Sequence, residues 1–523
     1  MAASDSAHRH DVDYDVVVVG GSFTGSTLSL LLSRSHPEAR ILIVEKSAQF
    51  TRRVGESTSE VAGCFLTRVL GLSNYLGREH FQKHGLRLWF NQCGNEDPEA
   101  CSELGPLGQA RLPTYQLDRS RLDQHLLDLA SHEGCRVLRE AKVTGIELDG
   151  AGSNTVRYRQ DGEEVTVRAG WVADCSGRVS LLARQRGTLA VTTEHPVHSM
   201  WVRFANVRSL DSEEAFRAAP FLREHSLVGR SSATNHLMGH GWWSWVIPLA
   251  NGDVSAGVTW DERLCEPPPG PDVSSRVLET LRSHPIGRLM FQDAIPVEDD
   301  ARSLKNLAYR TTEACGDGWV SVGDAAGFMD PLYSQGLDYC AHGAFAAHRL
   351  LGKALDGSLG TEDLKNHAGQ FQESYDRWFR SVYQNKYQYM GDADLMRAAF
   401  LLDIGSYFVG PVQLVYRLTD QEFANMPYAG PIGAVVARFM SFYNRRFERI
   451  ARKRLQAGTY GRNNVHRRDL ISRSFSPGLG GFPHILRGFA LWMRLELETA
   501  RLAPRETLPA AADPAGRASA AIS

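Results

Sequence analysis

The spacing of apolar residues changes period several times along the chain, and each change marks an element. Asp15-Val-Val-Val-Val19 is a continuous apolar run, which predicts a buried parallel strand. Leucines at 28, 30, 31 and 32 predict a helix after it, and Ile41-Leu-Ile-Val44 predicts a second buried strand. Residues 142–168 alternate apolar and polar in three short runs with Gly and Asp between them, which predicts an antiparallel meander. Trp201-Val-Arg-Phe204 and residues 242–249 read as strands, and Asn251-Gly252 before Val254–Trp260 predicts a hairpin. A further buried strand leads to Gly323-Asp324, and helical periodicity follows over Leu337–Leu355, 362–392, 395–456 and 489–502.

These elements predict an α/β fold with a Rossmann-like nucleotide-binding domain, an antiparallel-sheet substrate domain and a helical C-terminal region. The expected divisions are 13–185 with 311–356, then 186–310, then 357–502, with a polar tail at 1–12 and a tail of Ala, Pro and Ser at 503–523 expected to be disordered. A meander inserted in a nucleotide-binding sheet is the plan of FAD folds of the glutathione-reductase type, by analogy of fold.

Between the first strand and helix stands Gly20-Gly21-Ser22-Phe23-Thr24-Gly25, and Glu45 ends the second strand twenty positions after Gly25. Glycines admit a pyrophosphate to the backbone, the helix N-terminus supplies unpaired N–H groups, and an acid there can accept from a ribose. Ser22 replaces the middle glycine of the usual pattern, at a cost if its φ must be positive. This unit does not separate FAD from NAD. Arg52-Arg53-Val54-Gly55-Glu56-Ser57 reads either as a surface loop or as lining for flavin or phosphate. Arg119, near a predicted helix start where a cation is unfavoured, hints at a bound anion. Asp324 is placed to bind ribityl hydroxyls, and backbone N–H groups at 334–336 to hold a small anion.

Composition narrows the class only a little. Hydrophobic content of 43%, charged content of 23% and a net charge of −2 are ordinary for a globular protein and give no reason to expect nucleic-acid binding. Eight cysteines without a C-x-x-C fit a reducing, cytoplasmic setting, and no metal site is expected. No apolar run of about 18 residues is evident, so no membrane span is expected. Residues 437–473 carry ten arginines and one lysine against one glutamate and one aspartate. That stretch reads as the solvated face of amphipathic helices or as a docking surface for an acidic partner.

Gly241-Trp-Trp-Ser-Trp-Val-Ile-Pro248 concentrates three tryptophans. In a strand, Trp243 and Trp245 share a face, which suits an aromatic core or a barrier. Trp243-Ser-Trp245-Val-Ile247-Pro248, Phe328-x-x-Pro331-x-x-Ser334-x-Gly336 and Lys83-x-Gly85 together resemble the motifs of flavin-dependent halogenases, in the expected order, over about residues 13–350. The resemblance implies reduced FAD, oxygen and chloride or bromide as reactants, with a separate flavin reductase as partner. It implies halide held near Gln335 and Gly336, and hypohalous acid passing through a tunnel to Lys83, which presents it or holds it as a haloamine. Trp243 and Trp245 then form a partition between substrate and flavin. Tryptophan halogenases of this family carry a glutamate where this chain has Tyr333. The departure favours a phenol or pyrrole substrate, free or carrier-bound, in secondary-metabolite or antibiotic biosynthesis. A flavin-dependent monooxygenase or oxidoreductase of the same fold is the alternative.

Overall fold

A computed structural model describes residues 12–224, 226–417, 425–471 and 477–502. The two expected disordered tails lie outside these, save for Val12.

The first sheet is built on the apolar run Tyr14–Val19, which pairs in parallel with Ile41–Val44 on one side and Glu163–Asp174 on the other. Trp319–Ser321 extends the sheet beyond Asp174, and Arg136–Leu138 closes its other end. All four residues Val16–Val19 are buried, as a strand covered on both faces requires. Lys142–Glu147 and Asn154–Gln160 form the antiparallel meander against the first half of Glu163–Asp174. The fold is the Rossmann-like FAD-binding type, with helices Phe23–Ser35 and Gly336–Leu355 packed against the parallel strands.

The second sheet has nine strands and draws on distant parts of the chain. Trp242–Pro248 and Val254–Asp261 form the expected hairpin, with Gly252 in the turn at φ 89°. Thr234–Gly239 joins its other side, and pairs in turn with Leu86–Phe90. Ser102–Pro106 and Arg468–Ile471 continue the sheet. The stretch 91–113, which reads as a loop-rich excursion, therefore contains a paired strand, and the helical tail contributes another. Both strands lie outside the 186–310 division. Pairing partners hundreds of residues apart leave no local mark in a sequence.

The expected long helix over 395–456 is broken. Ala393–Val409 ends at Gly410, and Gly430–Gln456 begins afresh with Pro431 in its first turn. The segment Ala393–Tyr416 is long and apolar enough to cross a membrane, contrary to the expectation from composition, but 72% of its most apolar window is buried inside the protein. Gly405 and Gly481 meet backbone to backbone where this helix crosses the start of Phe482–Ala500.

Among the described arginines of 437–473, Arg438, Arg445, Arg449, Arg452 and Arg462 are exposed, as a solvated helix face requires, while Arg446, Arg467 and Arg468 are half-buried and Arg454 is buried. Arg454 is buried on Asp392 and Asp394, Arg446 pairs with Glu496, Arg452 with Glu448 and Arg467 with Asp394. Arg468 lies over Phe221 and donates to the Glu99 carbonyl.

Candidate functional site

The nucleotide cradle is assembled by close backbone packing. A Cβ at Gly25 would lie 1.8 Å from the Gly20 carbonyl oxygen, and one at Gly20 would lie 2.5 Å from that of Cys175. Only glycine fits either place. Ser22 has φ −76°, so the serine carries no left-handed strain and the expected penalty does not arise. Helix Phe23–Ser35 begins at Ser22 without a side-chain cap or an acid in its first turn. Its first N–H groups are thus available to an anion. Ser22 Oγ donates instead to Asp123 at 2.7 Å, and accepts from Arg53 at 3.1 Å and Arg119 at 3.4 Å.

Arg119 is buried at the start of helix Arg119–His132 and pairs with Asp123 one turn on. It also donates to the Gly55 carbonyl at 3.5 Å, and Gly55, at φ 92°, leaves the space that the guanidinium occupies. The 52–57 stretch thereby turns Arg53 toward the cradle. Glu45 is buried and accepts from Gly21 N at 2.8 Å and Ser47 N at 2.9 Å, one on each carboxylate oxygen. Asp324 opens a short turn at the tip of the Trp319–Ser321 strand and accepts weakly from Cys340 Sγ. Burial raises its pKa, against the pull of Arg119. An uncapped helix start, two flanking arginines and an acid at the second strand's tip fit the pyrophosphate and ribose of FAD.

The loop 328–336 is held in strained backbone. Tyr333 and Ser334 are consecutive non-glycine residues at φ 70° and 63°, each costing on the order of 1–3 kcal/mol. Surrounding bonds enforce the shape. Tyr333 Oη donates to Asp403 at 3.0 Å, and Gln335 Oε1 accepts from Trp378 at 2.8 Å and Tyr383 at 2.9 Å. The Gln335 side-chain oxygen is thus taken by neighbours, and the backbone N–H is a group that can face an anion. Helix Gly336–Leu355 starts there uncapped, and a Cβ at Gly336 would meet nothing closer than Phe328 at 3.8 Å. Open space before two amides suits a small anion.

Lys83 is 2% exposed and lies on the wall of a cavity of about 100 Å³. Its backbone is clamped to Thr114 in both directions, and Gly85 supplies the φ of 82° that turns the chain into Leu86–Phe90. Its ammonium donates to Thr58 O at 2.6 Å and Ser57 Oγ at 2.8 Å. Ser334 Oγ reaches the same Ser57 hydroxyl at 3.1 Å. Burial pushes the lysine pKa down to about 8, with Glu60 and Asp338 opposing. The cavity is mainly apolar, walled by Leu86, Val382, Phe400, Ile404 and Tyr428 with Tyr333 and Asp403, and exposed Gln109 stands at its mouth.

Trp243 and Trp245 do share a face, with ring centroids 5.8 Å apart. Gly257 opposite Trp245 makes room for that ring, since a Cβ there would fall 2.3 Å from it. Neither tryptophan borders the cavity of Lys83, so neither contacts a substrate held there. Both project into the core shared with the helical region. Trp243 Nε1 donates to Tyr387 Oη at 2.9 Å, Tyr387 donates to Asp330 at 2.9 Å, and His195 completes the set at 3.1 Å. The pair therefore ties the second sheet to the 328–336 loop. His236 lies edge-on to Trp243 at 5.1 Å, and burial, with the Lys83 charge adding to it, holds its imidazole pKa down at about 3.

The sequence reading missed Thr58, Glu60, Asp338, Asp403 and Tyr387. None sits in a spaced motif, and Asp403 and Tyr387 come from the helical region, whose packing on the cavity is a tertiary fact. Buried acids inside an apolar helix, such as Asp403 in Ala393–Val409, were the one available signal.

A family model described as an FAD binding domain matches residues 13–368. The chain belongs to this FAD-binding family, among the flavin-dependent halogenases. A 1H-pyrrole-2-carbonyl-[peptidyl-carrier protein] chlorinase of Pseudomonas fluorescens is 24% identical over 71% of this chain and 83% of its own. A flavin-dependent halogenase of Dictyostelium discoideum, chlA, is 23% identical over 76% and 69%. The crystal structure of halogenase PltM in complex with phloroglucinol and FAD superposes with a TM-score of 0.70 at 19% identity, covering 94% of this chain and 98% of that one. This halogenase is a halogenating flavoenzyme that uses FAD and halide.

Proposed function

We propose that this halogenase chlorinates or brominates an electron-rich ring, phenolic or pyrrolic, held in the Lys83 cavity. The observation that carries the reading is the shared Ser57 hydroxyl, which links the Lys83 ammonium to Ser334 of the strained loop. Bound reduced FAD, supplied by a separate reductase, provides from oxygen the oxidising equivalent that turns halide into hypohalous acid. Gly20, Gly25, Arg53 and Arg119 hold its phosphates, Glu45 its ribose and Asp324 its ribityl chain. The amides of Gln335 and Gly336 hold the halide.

Lys83 presents the hypohalous acid as an ammonium donor, because its second and third partners are fixed on Thr58 and Ser57. The mainly apolar walls of the cavity suit an aromatic ring. Trp243 and Trp245 act at a distance, as a rigid partition that anchors the loop through Tyr387 and Asp330. The experiment is product analysis with phloroglucinol and pyrrole under reduced FAD, oxygen and chloride or bromide. Halogenated product only with halide supports the reading, and a halide-independent oxygenated product points to a monooxygenase.

A carrier-bound substrate has one observation in its favour beyond the pyrrole relatives. Arg438, Arg445 and Arg449 on the outer side of Gly430–Gln456 form no ion pair among the described residues and stay exposed beside Phe439 and Phe442. Comparison of free with carrier-loaded pyrrole-2-carboxylate as substrate separates the two forms.

A further inference from the structure

Aromatic halogenation by this enzyme needs a group to remove the ring proton, and Tyr333, with its raised pKa and its hydroxyl already committed to Asp403, cannot take it. The acids bordering the Lys83 cavity are Glu60 and Asp403. Asp403 is fully engaged: Lys386 Nζ and Tyr333 Oη share one oxygen at 2.5 and 3.0 Å, and Tyr443 Oη binds the other at 2.6 Å. Glu60 forms no hydrogen bond or ion pair with another described residue. Its segment is nevertheless fixed on both sides, because Asp338 Oδ1 accepts from Ser59 Oγ at 2.5 Å and from Ala62 N at 2.9 Å. Lys83 is bonded to Thr58 O, two residues before Glu60. An unengaged carboxylate on a fixed backbone segment thus borders the same small space as the lysine.

Resting on the function proposed above, we infer that Glu60 is the catalytic base that takes the proton from the halogenated ring carbon, in partnership with Lys83. In the step, a ring π pair forms the carbon–halogen bond as the halogen–oxygen bond of hypohalous acid breaks. The departing oxygen takes a proton from the Lys83 ammonium and leaves as water. The ring C–H pair returns to the π system and its proton passes to the Glu60 carboxylate. Transfer of that proton from Glu60 to the Lys83 amine restores both groups, so the sum is arene plus hypohalous acid giving haloarene plus water. Desolvation raises the pKa of Glu60 while Lys83 opposes it, so its proton affinity exceeds that of a solvated carboxylate.

The test uses the full-length protein with bound FAD and resorcinol, unlabelled or deuterated on the ring. Wild type is expected to show an isotope effect near one on product formation. Glu60→Gln is expected to lose about 10²-fold in halogenation rate, the scale of one general base, and to gain a primary isotope effect of roughly 3 or more as proton loss becomes limiting. Glu60→Asp is expected to recover part of the rate with a smaller isotope effect. A Glu60→Gln protein that binds FAD and halogenates at the wild-type rate with no isotope effect overturns the role of Glu60 alone. If Glu60→Gln fails to bind FAD, Glu60→Asp decides, and a slowed rate without an isotope effect there overturns the role. Absence of halogenated product from wild type overturns the parent reading instead.

Discussion

Ser334 Oγ donates to Ser57 Oγ across 3.1 Å, and so joins the strained loop to the hydroxyl that holds Lys83. Residues 277 positions apart share one small group at the junction of loop and cavity. Removal of that hydroxyl in Ser57→Ala leaves a buried ammonium with one partner fewer, a loss of about 1–3 kcal/mol. The expected outcome is a melting temperature lower by several degrees and a halogenation rate reduced by about tenfold with FAD still bound. Thermal melts and single-turnover product assays measure both.

Lys83→Met keeps the volume of the side chain and removes its charge. Burial has lowered the lysine pKa from 10.5 to about 8, so the charged form costs the fold roughly 3 kcal/mol at neutral pH. Halogenation is expected to vanish while FAD binding persists and thermal stability is kept or raised. Flavin absorbance, a melt and product analysis check this together.

The same shift sets a pH dependence. A lysine whose folded pKa lies below its unfolded value binds fewer protons when folded, so stability rises as pH climbs from about 8 to 10.5. Activity that needs the ammonium moves the other way and falls above about pH 8. A rate profile with its alkaline limb near 8, displaced upward in Lys83→Arg, is the expected result.

Trp243→Phe deletes the bond to Tyr387 without removing the ring. The chain from Trp243 through Tyr387 to Asp330 then loses its anchor on the second sheet. About 1–3 kcal/mol of stability should go, since the Tyr387 hydroxyl lies fully buried. More oxidant is expected to escape into solution per flavin oxidised, which a soluble halogen acceptor detects.

Asp403→Asn breaks the buried pair with Lys386, whose ammonium lies beside the Tyr333 and Tyr389 rings. An uncompensated buried charge costs about 3–5 kcal/mol. Urea unfolding should show that loss, and Lys386→Met on the same background should recover part of it.

The sequence by itself determined the parts that depend on local chemistry. The run Val16–Val19, the glycines Gly20 and Gly25, the Asn251-Gly252 turn and the shared face of Trp243 and Trp245 follow from side-chain period and backbone sterics, and the fold uses them as read. The dinucleotide-binding class was legible for the same reason, and the choice of FAD came with the resemblance carried by the later motifs. What only the tertiary structure decided is how distant segments meet. Leu86–Phe90, Ser102–Pro106 and Arg468–Ile471 enter one sheet, and Asp403 and Tyr387 reach the cavity and loop, through long-range pairing and helix packing that no spacing encodes. The tryptophan wall shows the division most plainly. Period 2 puts both rings on one side, but only packing shows that this side is the core anchoring the loop, and that the cavity beside Lys83 is walled by other residues.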